Sequence, residues 1–122
     1  MILVDTSVWI DHVRAGEPQL AALLTRNEVL CHPYVIGEIA LGGVARRAEV
    51  LRLLGALPAA IVATHDELMA FIDARQLANS GLGLIDAGLL AATLLTTGAE
   101  LWARDKNLCA AAARCGVDAG LK

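Results

Sequence analysis

Short apolar runs alternate with longer stretches of helical period along this chain. Ile2-Leu3-Val4 is wholly apolar and reads as a short buried strand. Thr6 or Ser7 is placed to cap a helix running to about Arg14, and Gly16-Glu17-Pro18 interrupts it. Gln19 to Arg26 reads as a second helix and Val29-Leu30-Cys31 as a strand. Pro33 suits the first turn of a helix reaching about Leu41, which Gly42-Gly43 ends. Arg46 to Leu54 is a further helix, with Val50, Leu53, Leu54 and Leu57 on its apolar side. Ala60 to Ala63 is a candidate strand. Thr64 or Asp66 caps a helix to about Ala78, stopped by Asn79-Ser80-Gly81. Ile85 to Thr97 is an apolar helix closed by Gly98. Leu101-Trp102-Ala103 is a strand, Asp105 to Arg114 a helix closed by Gly116, and Val117 to Ala119 a last short strand.

Strands alternating with helices predict a parallel sheet covered on both faces. The strands lack polar alternation, as burial on both faces requires. The expected architecture is α/β, a three-layer α/β/α sandwich with a short parallel sheet. Functional sites in such folds lie beyond the carboxyl ends of the strands. Asp5 and Asp105 fall at that end of two different strands.

Composition narrows this picture. The 122 residues suit one domain spanning the whole chain, 1–122. Hydrophobic residues make up 57% and aromatics only 3%, so the expected core is Leu, Ala, Val and Ile. The longest apolar stretch, Ala87 to Gly98, is about a dozen residues against the ~20 that span a bilayer. The opening MILVDTSVWIDH lacks a basic leader and is broken by Asp5, so a cytoplasmic location is expected. Cys31, Cys109 and Cys115 fit no zinc spacing and read as reduced, mostly buried side chains. His12, His32 and His65 are scattered, and no Ser-His-Asp or Cys-His spacing, phosphate loop or HExxH motif is present. An aspartyl-phosphate mechanism at Asp5 is disfavoured because Ser7 stands where a second Asp belongs.

Four acids stand in apolar frames: Asp5, Glu38, Asp86 and Asp105. Each alone has an ordinary structural explanation. Asp5 and Asp105 can cap the helices that follow them, Glu38 can lie on a solvated helix face, and Asp86 can complement a helix dipole. Those explanations do not bring the four together, whereas the predicted sheet does so for Asp5 and Asp105. Converging carboxylates suit Mg²⁺ or Mn²⁺, which prefer hard oxygen ligands and can activate water against a phosphodiester. The net charge of −3 weighs mildly against nucleic acid, but setting the four acids aside leaves nine acids against ten bases. Arg14, Arg46, Arg47, Arg52, Arg75, Arg104 and Lys106 are then candidates to touch phosphates. The pair Arg46-Arg47 and the pair Arg104 and Lys106 are the better placed.

The segments ILVDTSVWIDHVR, YVIGEIALGG, IDAGLLAATLL and LWARDKNLCAAAARCGV together resemble the PIN-domain family, most closely VapC-type toxins of toxin–antitoxin pairs. The resemblance runs in family order over nearly the whole chain. It implies an Mg²⁺- or Mn²⁺-dependent RNA endonuclease leaving 5′-phosphate and 3′-hydroxyl ends. It also implies a homodimer and a cognate VapB-type antitoxin, and carries the family's acids onto Asp5, Glu38, Asp86 and Asp105. One departure stands out: Ala103 occupies a position where the family often has Thr or Ser. A catalytically weak or inactive module that holds RNA or antitoxin is the alternative this departure favours. A dimer would also cover spare aliphatic surface, with Gln19 to Leu24 and Arg46 to Leu57 as candidate faces.

Overall fold

The computed structural model describes residues 1–122. Three parallel strands, β1 (Ile2–Val4), β2 (Val29–Leu30) and β3 (Glu100–Trp102), form a sheet in the order β2-β1-β3. Seven helices surround it: α1 (Thr6–Ala15), α2 (Pro18–Thr25), α3 (Pro33–Leu41), α4 (Arg47–Ala56), α5 (His65–Ala74), α6 (Leu84–Leu95) and α7 (Lys106–Arg114). The arrangement is the expected three-layer α/β/α sandwich. No helix is long and apolar enough to cross a membrane.

Local chemistry explains where the helices begin. Proline opens both α2 and α3, where a missing N–H costs nothing. The Glu17 carboxylate accepts from Gln19 N–H ahead of α2, and His32 Nδ1 accepts from Tyr34 N–H ahead of α3. Thr64 and Glu67 exchange hydrogen bonds in a complete capping box at α5. Asp105 caps α7, its Oδ2 accepting from Leu108 N–H at 2.9 Å. Gly81 has a φ of +85°, and the Asn107 side chain of α7 occupies the space a β-carbon would need. That close approach seats the entry of α6 against the first turn of α7.

Several expectations are corrected. Ala60 to Ala63 is no strand: a single bridge joins Ala59 to Cys31, and Ile61 N–H instead donates to Thr96 Oγ1. Val117 to Ala119 likewise contributes only a bridge from Asp118 to Leu101. Helix α5 ends at Ala74, short of Ala78, because Gln76 turns into the left-handed region at φ 54°. The core is not purely aliphatic, since Trp9 and Trp102 are the largest fully buried side chains. Each face suggested for a dimer lends part of its apolar surface to the monomer, while Leu53 of α4 stays exposed. Leu20 and Leu23 of α2 and Leu54 of α4 are buried in the central core, and Val50 and Leu57 pack against it.

Candidate active site

Asp5 follows β1 and is almost wholly buried, at 8% exposure. Its backbone N–H donates to Trp102 C=O at 2.9 Å, which ties the end of β1 to the end of β3. It holds the cap position of α1 without a side-chain capping bond. The carboxylate instead accepts from Ser7 Oγ at 2.8 Å. Thr6 Oγ1 donates to Glu38 Oε1 at 2.7 Å, linking α1 to α3. The expectation that Thr6 or Ser7 caps α1 is therefore corrected. Both hydroxyls serve acids, and a helix cap was the wrong reading because Asp5 already fills that position.

Asp86 lies in the first turn of α6 and is half-buried. Burial raises its pKa above the ordinary carboxylate value, and the charges of Asp5, Asp105 and Glu38 raise it further; a backbone hydrogen bond from Gly83 partly opposes them. The fold has therefore brought Asp5, Glu38 and Asp105 each within electrostatic reach of Asp86. No three of the four converge on one metal position with their side chains as they stand. The two observations are compatible, because charges interact over longer distances than the ~2.1 Å of a magnesium–oxygen bond. The donors are all hard carboxylate oxygens, with no thiolate or imidazole among them. They fit Mg²⁺ or Mn²⁺, which keeps several of its waters and needs few direct protein ligands. The four acids line none of the five principal surface cavities.

Ala103 is buried, and its carbonyl oxygen accepts from Cys109 Sγ at 3.1 Å. Its methyl group contributes no hydroxyl to the acids; Thr6 and Ser7 are the side chains that do. All three cysteines are free, and burial raises the thiol pKa of Cys31 and of Cys109.

The basic candidates separate. Arg46 and Lys106 are exposed at the starts of α4 and α7. Arg47 Nε donates to the Ala40 carbonyl at the end of α3, so part of its guanidinium is committed. Arg104 does not lie free beside Asp105 as expected. It pairs with Asp11 and with Glu17, donates to the Lys122 carbonyl, and lies over the Trp102 ring at 5.7 Å. The acids of α1 and of the α2 cap neutralise it, so it joins these elements to the β3–α7 turn. Arg104→Met is expected to lower Tm by about 2–5 °C in a thermal melt. The loss should shrink as pH falls through the carboxylate range. The Arg104 hydrogen bond is the largest cause lowering the Glu17 pKa, so that pairing stabilises the fold above the range and is lost below it. An unchanged Tm, with weaker RNA binding instead, would return Arg104 to the phosphate-binding set.

The PIN domain family model matches residues 2–114. Over 117 residues the chain is 51% identical to a protein described as Ribonuclease VapC32 in Mycobacterium tuberculosis, with the same figures for strains CDC 1551 / Oshkosh and ATCC 25618 / H37Rv. The matched region covers 96% of this chain and 94% of each relative.

Proposed function

The chain belongs to the PIN-domain family, and from that premise we propose that it is a metal-dependent endoribonuclease, the toxin of a toxin–antitoxin pair. The observation that carries the chemistry is that burial and the charges of Asp5, Asp105 and Glu38 all raise the pKa of Asp86, with Asp5 and Asp105 at the ends of β1 and β3, Asp86 in the first turn of α6 and Glu38 within α3. Asp5 and Asp86 are the residues that would hold Mg²⁺ or Mn²⁺, with Glu38 and Asp105 completing the cluster. A bound divalent ion supplies charge neutralisation at the phosphodiester and lowers the pKa of water.

The side chains of this protein account for the remaining work. Ser7 and Thr6 hold one oxygen each of Asp5 and Glu38, which fixes how the remaining oxygens point. Glu38 takes the proton of the attacking water through Oε2, the oxygen not engaged by Thr6. The water oxygen attacks phosphorus in line, the bond from phosphorus to the 3′ oxygen breaks, that oxygen takes a proton from solvent to leave as a hydroxyl, and Glu38 returns its proton to solvent. The products carry 5′-phosphate and 3′-hydroxyl ends, and the RNA 2′-OH takes no part. Arg46 and Lys106 remain residues for phosphate contact, exposed and without an internal ion pair, as are Arg14, Arg52 and Arg75.

A homodimer, a VapB-type antitoxin and a cytoplasmic location belong to the same reading. Leu41, Ile61, Val62, Met69 and Leu84 are exposed apolar side chains that such partners would cover. The second reading is a module that binds RNA without cutting it, favoured by Ala103 and by the absence of three converging ligands. Purified protein incubated with total RNA decides between them. Mn²⁺ should produce new 5′-phosphate ends and a chelator should prevent them. RNA retained intact in the presence of Mn²⁺ would favour the module.

A further inference from the structure

Tyr34 is the aromatic side chain most open to solvent. Trp9 and Trp102 are sealed in the core and Phe71 is half-buried, whereas Tyr34 is 38% exposed. Its position is defined on several sides. The backbone N–H is held by His32 Nδ1 at 3.0 Å, and the ring stands 4.6 Å from the His32 imidazole at an interplanar angle of 59°. On the other side it lies against α6 at Gly88. A β-carbon there would come within 2.9 Å of the ring's Cε2 and 3.3 Å of Cδ2. Glycine at position 88 thus leaves the gap that the ring fills.

The ring is also one helical turn from an acid of the proposed site. Tyr34 and Glu38 are one helical turn apart on α3 and share a face. Through Gly88 the ring packs on α6, the helix whose first turn carries Asp86, although residues two apart face different sides of a helix. The tyrosine therefore spans the corner between the two helices that carry these acids. Its place is fixed before any ligand arrives, so little conformational entropy remains to be lost on binding. Unpaired RNA bases stack on such aromatic faces, and this chain has few other aromatics to offer.

We propose that Tyr34 is a base-stacking platform of the RNA site, receiving the nucleobase of one unpaired nucleotide beside the bond to be cut. The proposal rests on the ribonuclease reading and adds to it a residue that selects single-stranded substrate. It predicts that duplex RNA, whose bases are already stacked, is a poor substrate.

The test uses the full chain with Mn²⁺ and short single-stranded RNAs. Tyr34→Ala should lower kcat/KM about tenfold, chiefly through KM, while Tyr34→Phe stays within about twofold of wild type. The same RNA with an abasic residue placed in turn on either side of the cut completes a cycle. At one of these positions wild type should fall to the level of Tyr34→Ala, and the variant should lose nothing further. An unchanged KM, or a Tyr34→Ala penalty that persists at every abasic position, would overturn the platform. So would a Tyr34→Ala protein that changes from dimer to monomer in light scattering, because the ring would then belong to a subunit contact. Wild type leaving every RNA intact would sink the ribonuclease reading and the platform together. Cleavage unaffected by Tyr34→Ala would sink the platform alone.

Discussion

Asp5→Asn should reduce RNA cleavage by about a thousandfold or more, corresponding to roughly 4 kcal/mol of lost transition-state stabilisation. The substitution removes one negative charge and almost no volume. Asp5 is nearly buried, and its Ser7 hydrogen bond can be retained by the amide oxygen. The backbone bond from residue 5 to Trp102 is independent of the side chain. The fold should therefore persist, with circular dichroism and Tm close to wild type. What disappears is a hard anionic ligand at the centre of the proposed cluster, for which an amide is a weak substitute. The measurement is release of 5′-phosphate ends from RNA by both proteins, purified side by side, with Mn²⁺ and with chelator. Equal cleavage by the variant, abolished by chelator, would remove Asp5 from the reaction. In cells, growth arrest on induction should disappear with the cleavage.

Asp86→Asn is expected to separate stability from activity. Burial first, then the charges of Asp5, Asp105 and Glu38, raise the Asp86 pKa in the folded protein above its ordinary value of 3.8. In the window above that value the folded state binds more protons than the unfolded state, so stability falls as pH rises through it. At neutral pH the ionised group is a liability held in place by the fold. Removing its charge should raise Tm by about 2–4 °C at pH 7 in chelator. The gain should vanish below the ordinary carboxylate pKa, where Asp86 is protonated in both states. Mn²⁺ should reverse the order, stabilising wild type through binding to the folded state and affecting the variant less. Cleavage by the variant should be lost. A lower Tm for Asp86→Asn, or a gain independent of pH, would mean that the carboxylate is satisfied structurally and is not held against its neighbours. The proposed activity would then lose its main electrostatic support.

Much of the fold is legible in local signals. Strands β1 and β2 fall within the predicted apolar runs, and β3 overlaps its run but starts one residue earlier at Glu100, because short apolar segments bounded by breakers have few ways to bury themselves. Asp105 is recognisable as a cap from its place before an alanine-rich helix, and the α5 cap from Thr64 with Glu67 following. The segment Ala60 to Ala63 was misleading because its β-branched pair, Ile61 and Val62, resembles a strand. Whether such a run joins a sheet depends on a partner edge, and only Ala59 finds one. Arg104 was misread for a related reason. A base beside an acid suggests a phosphate ligand, while its true partners, Asp11 and Glu17, lie 93 and 87 positions away.

The sequence by itself determined the alternation of strands and helices, the strand-end places of Asp5 and Asp105, and the apolar frames that set four acids apart. Those are consequences of period, capping and the cost of burying charge, which act over a few residues. Only the tertiary structure decided that Asp86 lies within electrostatic reach of Asp5, Glu38 and Asp105, that Thr6 serves an acid 32 positions away, and that Tyr34 fills the gap at Gly88. Each of these depends on how helices pack across the sheet, a property of surfaces distant in the chain, which no local pattern specifies.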